Sequence, residues 1–158
     1  MSGLRLFNTL AKEKQNFTPY VSDHVGIYAC GPTVYDRIHV GNARPLVLFD
    51  ILVKLLRYHY DKVTYVRNIT DVDDKITQRA MEKGITIDSL CEQTIADFHR
   101  DCNELNVVAP DVEPRATQHI SEMLEMIKEL IESGHAYEAS GHVLFSVSTM
   151  PVSYTHLT

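Results

Sequence analysis

An α/β fold, with a parallel sheet and flanking helices, is what this sequence predicts, and three observations carry it. The run His24 to Cys30 is short and apolar and is ended by Gly31-Pro32, as suits a buried strand. From Gly41 the period changes: Leu46, Phe49, Val53, Leu56 and Tyr60 fall three or four apart, one stripe of an amphipathic helix. Val63 to Ile69, VTYVRNI, is β-branched and aromatic and reads as a second strand. Strand, helix, strand at this spacing is a βαβ unit, normally parallel with a right-handed crossover. It would set Cys30 and Thr70 at one carboxyl edge of the sheet, the edge at which open α/β sheets bind ligands.

The remaining elements follow in chain order. Residues 1–23 carry one apolar stretch, Leu4 to Leu10, and then Lys12, Lys14 and Pro19, and are expected to form an edge strand or arm followed by a loop. Pro45 lies near the start of the first helix, where a missing N–H costs little. Asp71, Asp73 and Asp74 precede Ile76, Ala80 and Met81 in a second helix that Gly84 should stop. Ile85 to Leu105 reads as a third helix, with Ile87, Leu90, Ile95, Phe98, Cys102 and Leu105 largely on one side. Asn106 to Pro114, with its two prolines and two acids, is expected to be a loop. Thr117 to Ser133 has the clearest helical period, with Ile120, Leu124, Ile127 and Ile131 in register and Gly134 as its cap. His135 to Val147 suggests a hairpin turning near Ser140-Gly141, and the tail STMPVSYTHLT has no periodicity.

Composition narrows the function classes. A chain of 158 residues can bury a real core. A net charge of −6 argues against a surface that coats nucleic acid generally, which would be basic. No apolar run approaches the roughly 20 residues that span a bilayer, and MSGLRLFNTLAKEKQ lacks the apolar core of a secretory signal. A cytoplasmic protein with no membrane partner is therefore expected. The three cysteines, Cys30, Cys91 and Cys102, have no CxxC spacing, which suits reduced thiols rather than a disulfide framework.

The chemistry gathers in YACGPTVYDRIHVGNAR, residues 28–44. At a strand-to-helix junction, the His39 imidazole can donate to a phosphate oxygen. Gly41 lets a flat base approach the backbone, and Asn42 offers both a donor and an acceptor to a ribose or base edge. Elsewhere, Cys91 and Cys102 sit on predicted helix faces and read as packing. Asp71, Asp73 and Asp74 could suggest magnesium, but acids in a first helical turn are favoured by the helix dipole in any case.

The whole string YACGPTVYDRIHVGNAR resembles the HIGH signature of class I aminoacyl-tRNA synthetases, in the form seen in cysteinyl-tRNA synthetases. VRNITDVDDKI, FHRDCNELNV, EPRATQHI, LIESGHAY and VLFSV continue the resemblance in order, from about Phe7 to Val147. It implies a Rossmann-like, HUP-type parallel sheet, interrupted by the start of an inserted connective helix and hairpin. On this reading residues 1–116 would be the first half of a nucleotide-binding catalytic domain, 117–147 the start of the connective domain, and 148–158 an atypical, foreign-looking tail.

The resemblance also implies roles. Cys30 matches the first ligand of a catalytic zinc. Pro32, Thr33, His39, Val40, Gly41 and Asn42 match the ATP-binding region, with His39 and Asn42 as its catalytic members; Thr33 and Asp36 receive no individual role. Gly31 and Thr70 match the groups that hold the substrate cysteine's amino end. A soft thiolate binds zinc directly, whereas a serine hydroxyl is harder and far less acidic, so such a metal could reject serine without editing. The implied reaction is ATP-dependent activation of L-cysteine to cysteinyl adenylate, with ATP taken as its magnesium complex, then transfer to cysteine-accepting tRNA by a monomer. The sequence departs from the family in lacking KMSKS, the other three zinc ligands (a Cys, a His and a Glu) and the anticodon-reading domain. A cysteine ligase of the mycothiol pathway resembles the same domain, and a nucleotide-binding half-domain without activity is the non-enzymatic alternative.

Overall fold

In a computed structural model, residues 3–149 are described; most of the tail 148–158, and Met150, expected to be a packing residue, lie outside them. The chain divides into two units. One is Pro19–His119; the other takes in the N-terminal residues to Thr18 and the chain from Ile120 onward. The division expected at 116/117 falls inside a short 3-10 turn, Ala116–His119.

In the first unit, strand β3 (His24–Ala29) pairs in parallel with β4 (Lys62–Arg67), from His24 opposite Lys62 to Ala29 opposite Arg67. They are numbered after the hairpin β1 (Arg5–Asn8) and β2 (Glu13–Asn16) of the other unit. Helix α1 (Val40–His59) makes the crossover, burying Leu46, Val53 and Leu56 of the stripe read from the sequence. Asp50 is buried in the same stripe, because its carboxylate accepts from Val108 N–H at 2.8 Å and from Lys54 Nζ at 2.7 Å. Desolvation alone would raise its pKa, but the Lys54 ammonium and the Val108 N–H outweigh it and hold the carboxyl below its ordinary range.

β4 ends two residues short of the strand expected to reach Ile69. After Ala29 and Arg67 the two strands part and then rejoin: Thr33 bridges Thr70, with Thr70 N–H donating to Pro32 O at 3.0 Å and Val34 N–H to Thr70 O at 3.1 Å. The opening between these pairings is where the site lies. The segment expected to be a loop before Pro114 also runs parallel to β4 in part, with bridges from Val66 to Val112 and from Ile69 to Arg115. Its prolines are compatible with this because the N–H groups that bond to β4 and its continuation come from other residues of the segment. Asp111 N–H donates to Tyr65 O and Ala116 N–H to Ile69 O, while Pro114 serves only as an acceptor, from Ile69 N–H at 2.8 Å.

Helices α2 (Asp74–Lys83) and α3 (Ile87–Glu104) close the unit. Asp73 caps α2 by accepting from Lys75 N–H, and Gly84, at φ 64°, ends it as expected. Thr86 caps α3. Val34, Leu46, Ile69, Ile76, Leu90, Ile95 and Phe98 form the main core. Cys91 and Cys102 are buried in it, as their packing reading requires, and burial raises both thiol pKa values. Ile87 and Leu105, expected on the same face, sit at the helix ends and are exposed.

In the second unit, the N-terminal arm is an antiparallel hairpin rather than a strand and a loop. Its second strand, EKQN, is wholly polar and exposed and so carries no hydrophobic signal. Helix α4 (Ile120–Glu132) is shorter than expected because Thr117 gives its N–H and hydroxyl to Asp71, at 2.9 and 2.5 Å, and stays in the 3-10 turn. β5 (Ala136–Ala139) and β6 (His142–Phe145) form the expected hairpin; Ser140 and Gly141, at φ 53° and 79°, make the doubly left-handed turn that matches strand twist.

Candidate active site at the strand opening

A cavity of about 110 Å³ lies at the carboxyl end of β3. Cys30, Gly31 and Pro32 form one side, Gly41 and Asn42 from the first turn of α1 another, and Ile38, Leu46 and Phe98 add apolar wall. Of the residues singled out from the sequence, these five are brought together. His39 caps α1 just outside the lining, Val40 is largely exposed, and Thr33 and Thr70 pair behind Pro32.

The first turn of α1 is arranged differently from the simple picture of free amides. His39 Nδ1 accepts from Gly41 N–H at 3.0 Å, and His39 N–H donates to Asn42 Oδ1 at 3.2 Å, a reciprocal cap. Two consequences follow for ligand recognition. Because Nδ1 is an acceptor, the ring hydrogen belongs on Nε2, whose N–H is left for an anionic oxygen. Asn42 has spent one acceptor site and keeps its amide donors. Gly41 has a local duty beside any approach of a base: a Cβ there would lie 2.8 Å from His39 Cε1, so only glycine lets the imidazole fold back onto its own helix.

Gly31 is more constrained. A Cβ would fall 1.6 Å from the backbone oxygen of Asn68, which no side-chain adjustment relieves. The neighbouring Cys30 thiol is exposed and makes only a long contact, 3.6 Å, to Gly31 O, so it is accessible as a soft ligand. The residues present do not amount to a metal centre: among the described residues no group of three His, Cys, Asp or Glu side chains could hold an ion. The acidic run is structural. Asp71 is taken by Thr117, and Asp73 caps α2. Asp36, which received no role from the sequence, pairs with Arg79, and its carboxyl is held below the ordinary range first by Arg37 N–H and then by the Arg79 guanidinium.

Three residues of this region escape sequence reasoning. Phe98 reads as one more apolar position of α3, yet it is both core and cavity wall. Arg67 looks like a strand's exposed charge but is 2% exposed, 4.8 Å from the Phe98 ring centroid and 2.8 Å from Glu113. Asn68 follows β4 directly and lies inside the VRNITDVDDKI block, yet the sequence gives it no individual role. The available hint was its place in that block, one residue beyond the end of the β3–β4 register.

Known proteins share this sequence closely enough to fix its family. Residues 16–158 match the tRNA synthetases class I (C) catalytic domain. The chain belongs to that family. The class I match covers the strand opening, the capped helix and the tail alike. The chain is 58% identical to a cysteine–tRNA ligase of Rhodospirillum rubrum over 147 residues, which are 93% of this chain and 32% of that protein. It is 55% identical to the cysteine–tRNA ligase of Gluconobacter oxydans over 98% of this chain and 34% of the relative, and 49% identical to that of a Wolbachia from Culex pipiens over 94% and 32%. The chain thus spans about a third of the length of the curated relatives it matches. Among the described residues no helix is long and apolar enough to cross a membrane.

Proposed function

We propose that this chain is the ATP- and cysteine-handling N-terminal part of a cysteine–tRNA ligase. The observation that carries the reading is the single cavity that sets Cys30 and Gly31, at a strand end, against Gly41 and Asn42, at a helix start. In the first step a carboxylate oxygen of cysteine bonds to the α-phosphorus of ATP as the bond to pyrophosphate breaks. In the second, a terminal ribose hydroxyl of cysteine-accepting tRNA attacks the acyl carbon and AMP leaves. No protein nucleophile is needed; positioning and charge stabilisation lower the barriers. His39, with its Nε2–H turned outward, would donate to phosphate oxygen as charge grows there, and Asn42 would hold ribose or base through its amide hydrogens. Pro32, Thr33 and Val40 shape the nucleotide side. Gly31 and Thr70 would hold the amino acid's ammonium, and Cys30 would contribute one thiolate to zinc, with magnesium arriving on ATP.

The rest of the domain is proposed to lie beyond residue 149. In support, β3 pairs with no strand other than β4 among the described residues, and α1 exposes a second apolar stripe, Leu48, Ile51, Leu55 and Tyr58. Residues 19–116 would then be half of a nucleotide-binding domain, and α4 with the β5–β6 hairpin the start of a connective domain, in a monomeric cytoplasmic enzyme. The test is cysteine-dependent ATP–pyrophosphate exchange by the full-length protein. His39→Ala should lower kcat by about a hundredfold while changing the KM for ATP far less; unchanged kcat would refute the role.

A further inference from the structure

Asn68 carries no role in the reading above, yet its carboxamide spans the strand opening. Oδ1 accepts from Gly31 N–H at 2.9 Å, and Nδ2 donates to Thr70 Oγ1 at 3.2 Å. The orientation of the amide is dictated by chemistry, because a backbone N–H can only donate and so must face the oxygen. At the same point the Asn68 backbone oxygen occupies the space a Cβ on Gly31 would fill. One residue therefore sets both the position of the Gly31 peptide and the direction of the Thr70 hydroxyl.

The two groups it joins come from different strands, and nothing in the β3–β4 ladder fixes them, since the register ends at Ala29 and Arg67. The Thr33–Thr70 bridge holds the backbone on the far side, but the threonine hydroxyl is oriented by Asn68. With one lone pair engaged by Nδ2, Thr70 Oγ1 keeps a single lone pair and its hydrogen for a ligand. The peptide whose N–H Asn68 grips carries the Cys30 carbonyl, and the Gly31 carbonyl, which accepts from the Cys30 thiol, lies one Cα further along. An ammonium group needs two or three acceptors held at fixed separation, and here one side chain sets that separation.

We infer that Asn68 is a positioning residue for the amino-acid subsite, holding the Gly31 peptide and the Thr70 hydroxyl at the spacing an α-ammonium requires. The inference rests on the proposal that these two groups receive the substrate's amino end. It assigns Asn68 to the amino acid and not to the nucleotide, whose signature lies on α1.

The experiment is a double-mutant cycle in pyrophosphate exchange by the full-length protein, with Asn68→Ala, Thr70→Val and both together, measuring KM for cysteine and for ATP separately. Asn68→Ala should raise the KM for cysteine about tenfold and that for ATP less than about twofold. In the Thr70→Val background most of that effect should vanish, because the residue acts through the hydroxyl. Full additivity, or equal changes in both KM values, would overturn the inference. Should Asn68→Ala fail to fold, Asn68→Asp keeps an acceptor for Gly31 N–H and cannot donate to Thr70; a cysteine KM unchanged from the parent would count against the role. A parent protein with no cysteine-dependent exchange would instead sink the proposed function, so the two failures are distinguishable.

Discussion

Helices α1 and α4 both carry apolar periods, that of α4 the clearer, but their fates in the fold differ. The α1 stripe is driven into a core of strands and α3, whereas α4 has no buried residue at all, and Ile120 and Leu124 on its predicted inner face stay exposed. The same contrast holds between the units. Pro19–His119 contains nearly all the buried side chains, and in the other unit Ala136 is the one buried apolar residue among those described. Periodicity states which face of a helix would go inward. It does not say whether the surface that receives it lies in the same stretch of chain.

The sharpest way to break this contrast is to add or remove single groups on each side of it. Gly31→Ala should have the largest effect, preventing the strand opening from forming, because the new methyl and the Asn68 carbonyl cannot both be accommodated. Loss of cooperative unfolding by circular dichroism is the expected readout, and a native-like melt would show that the opening can rearrange. Phe98→Ala should come next, costing about 3–5 kcal/mol as a cavity-forming core change. Leu124→Ala on α4 should cost less than about 1 kcal/mol. Similar losses in denaturant titrations would mean that α4 is as well packed as α3.

Acidity gives a smaller, graded contrast. Asp50 and Asp111 have folded-state pKa values below their ordinary range. In Asp111 the leading cause is the Tyr65 N–H, with Arg57 adding to it. A lowered carboxyl pKa contributes stability that is complete above the unfolded value, roughly 4, and is lost as pH falls through the folded value. The Pro19–His119 unit should therefore weaken below about pH 4, and Asp50→Asn should flatten that decline while removing about 1–3 kcal/mol at neutral pH. Urea midpoints measured from pH 6 to pH 3 on parent and variant would test it; parallel curves would exclude Asp50 as a source.

The βαβ unit, the Gly84 stop and the β5–β6 turn were all legible in the sequence because each depends on local chemistry: period, chain reversal and left-handed glycine. The N-terminal hairpin was not, since EKQN shows no apolar alternation. The parallel segment before Ala116 was hidden by its prolines, of which Pro114 gives β4's continuation only a carbonyl. At the site, His39, Gly41 and Asn42 were readable as a cluster, but the reciprocal cap that uses up two of their polar groups was not. Asn68 and Arg67 were missed for one reason: their importance comes from partners more than thirty residues away, Gly31 and Glu113.

The outer edge of β3 has a consequence for handling this chain. Among the described residues no further strand pairs with the outer edge of β3, whose backbone donors and acceptors can take up an extended segment, and the exposed Leu48 to Tyr58 stripe in the same unit adds an adhesive patch. Protein concentration thus becomes a structural variable: dilute samples keep the ladder two strands wide, and crowded ones invite copies to complete each other's sheets.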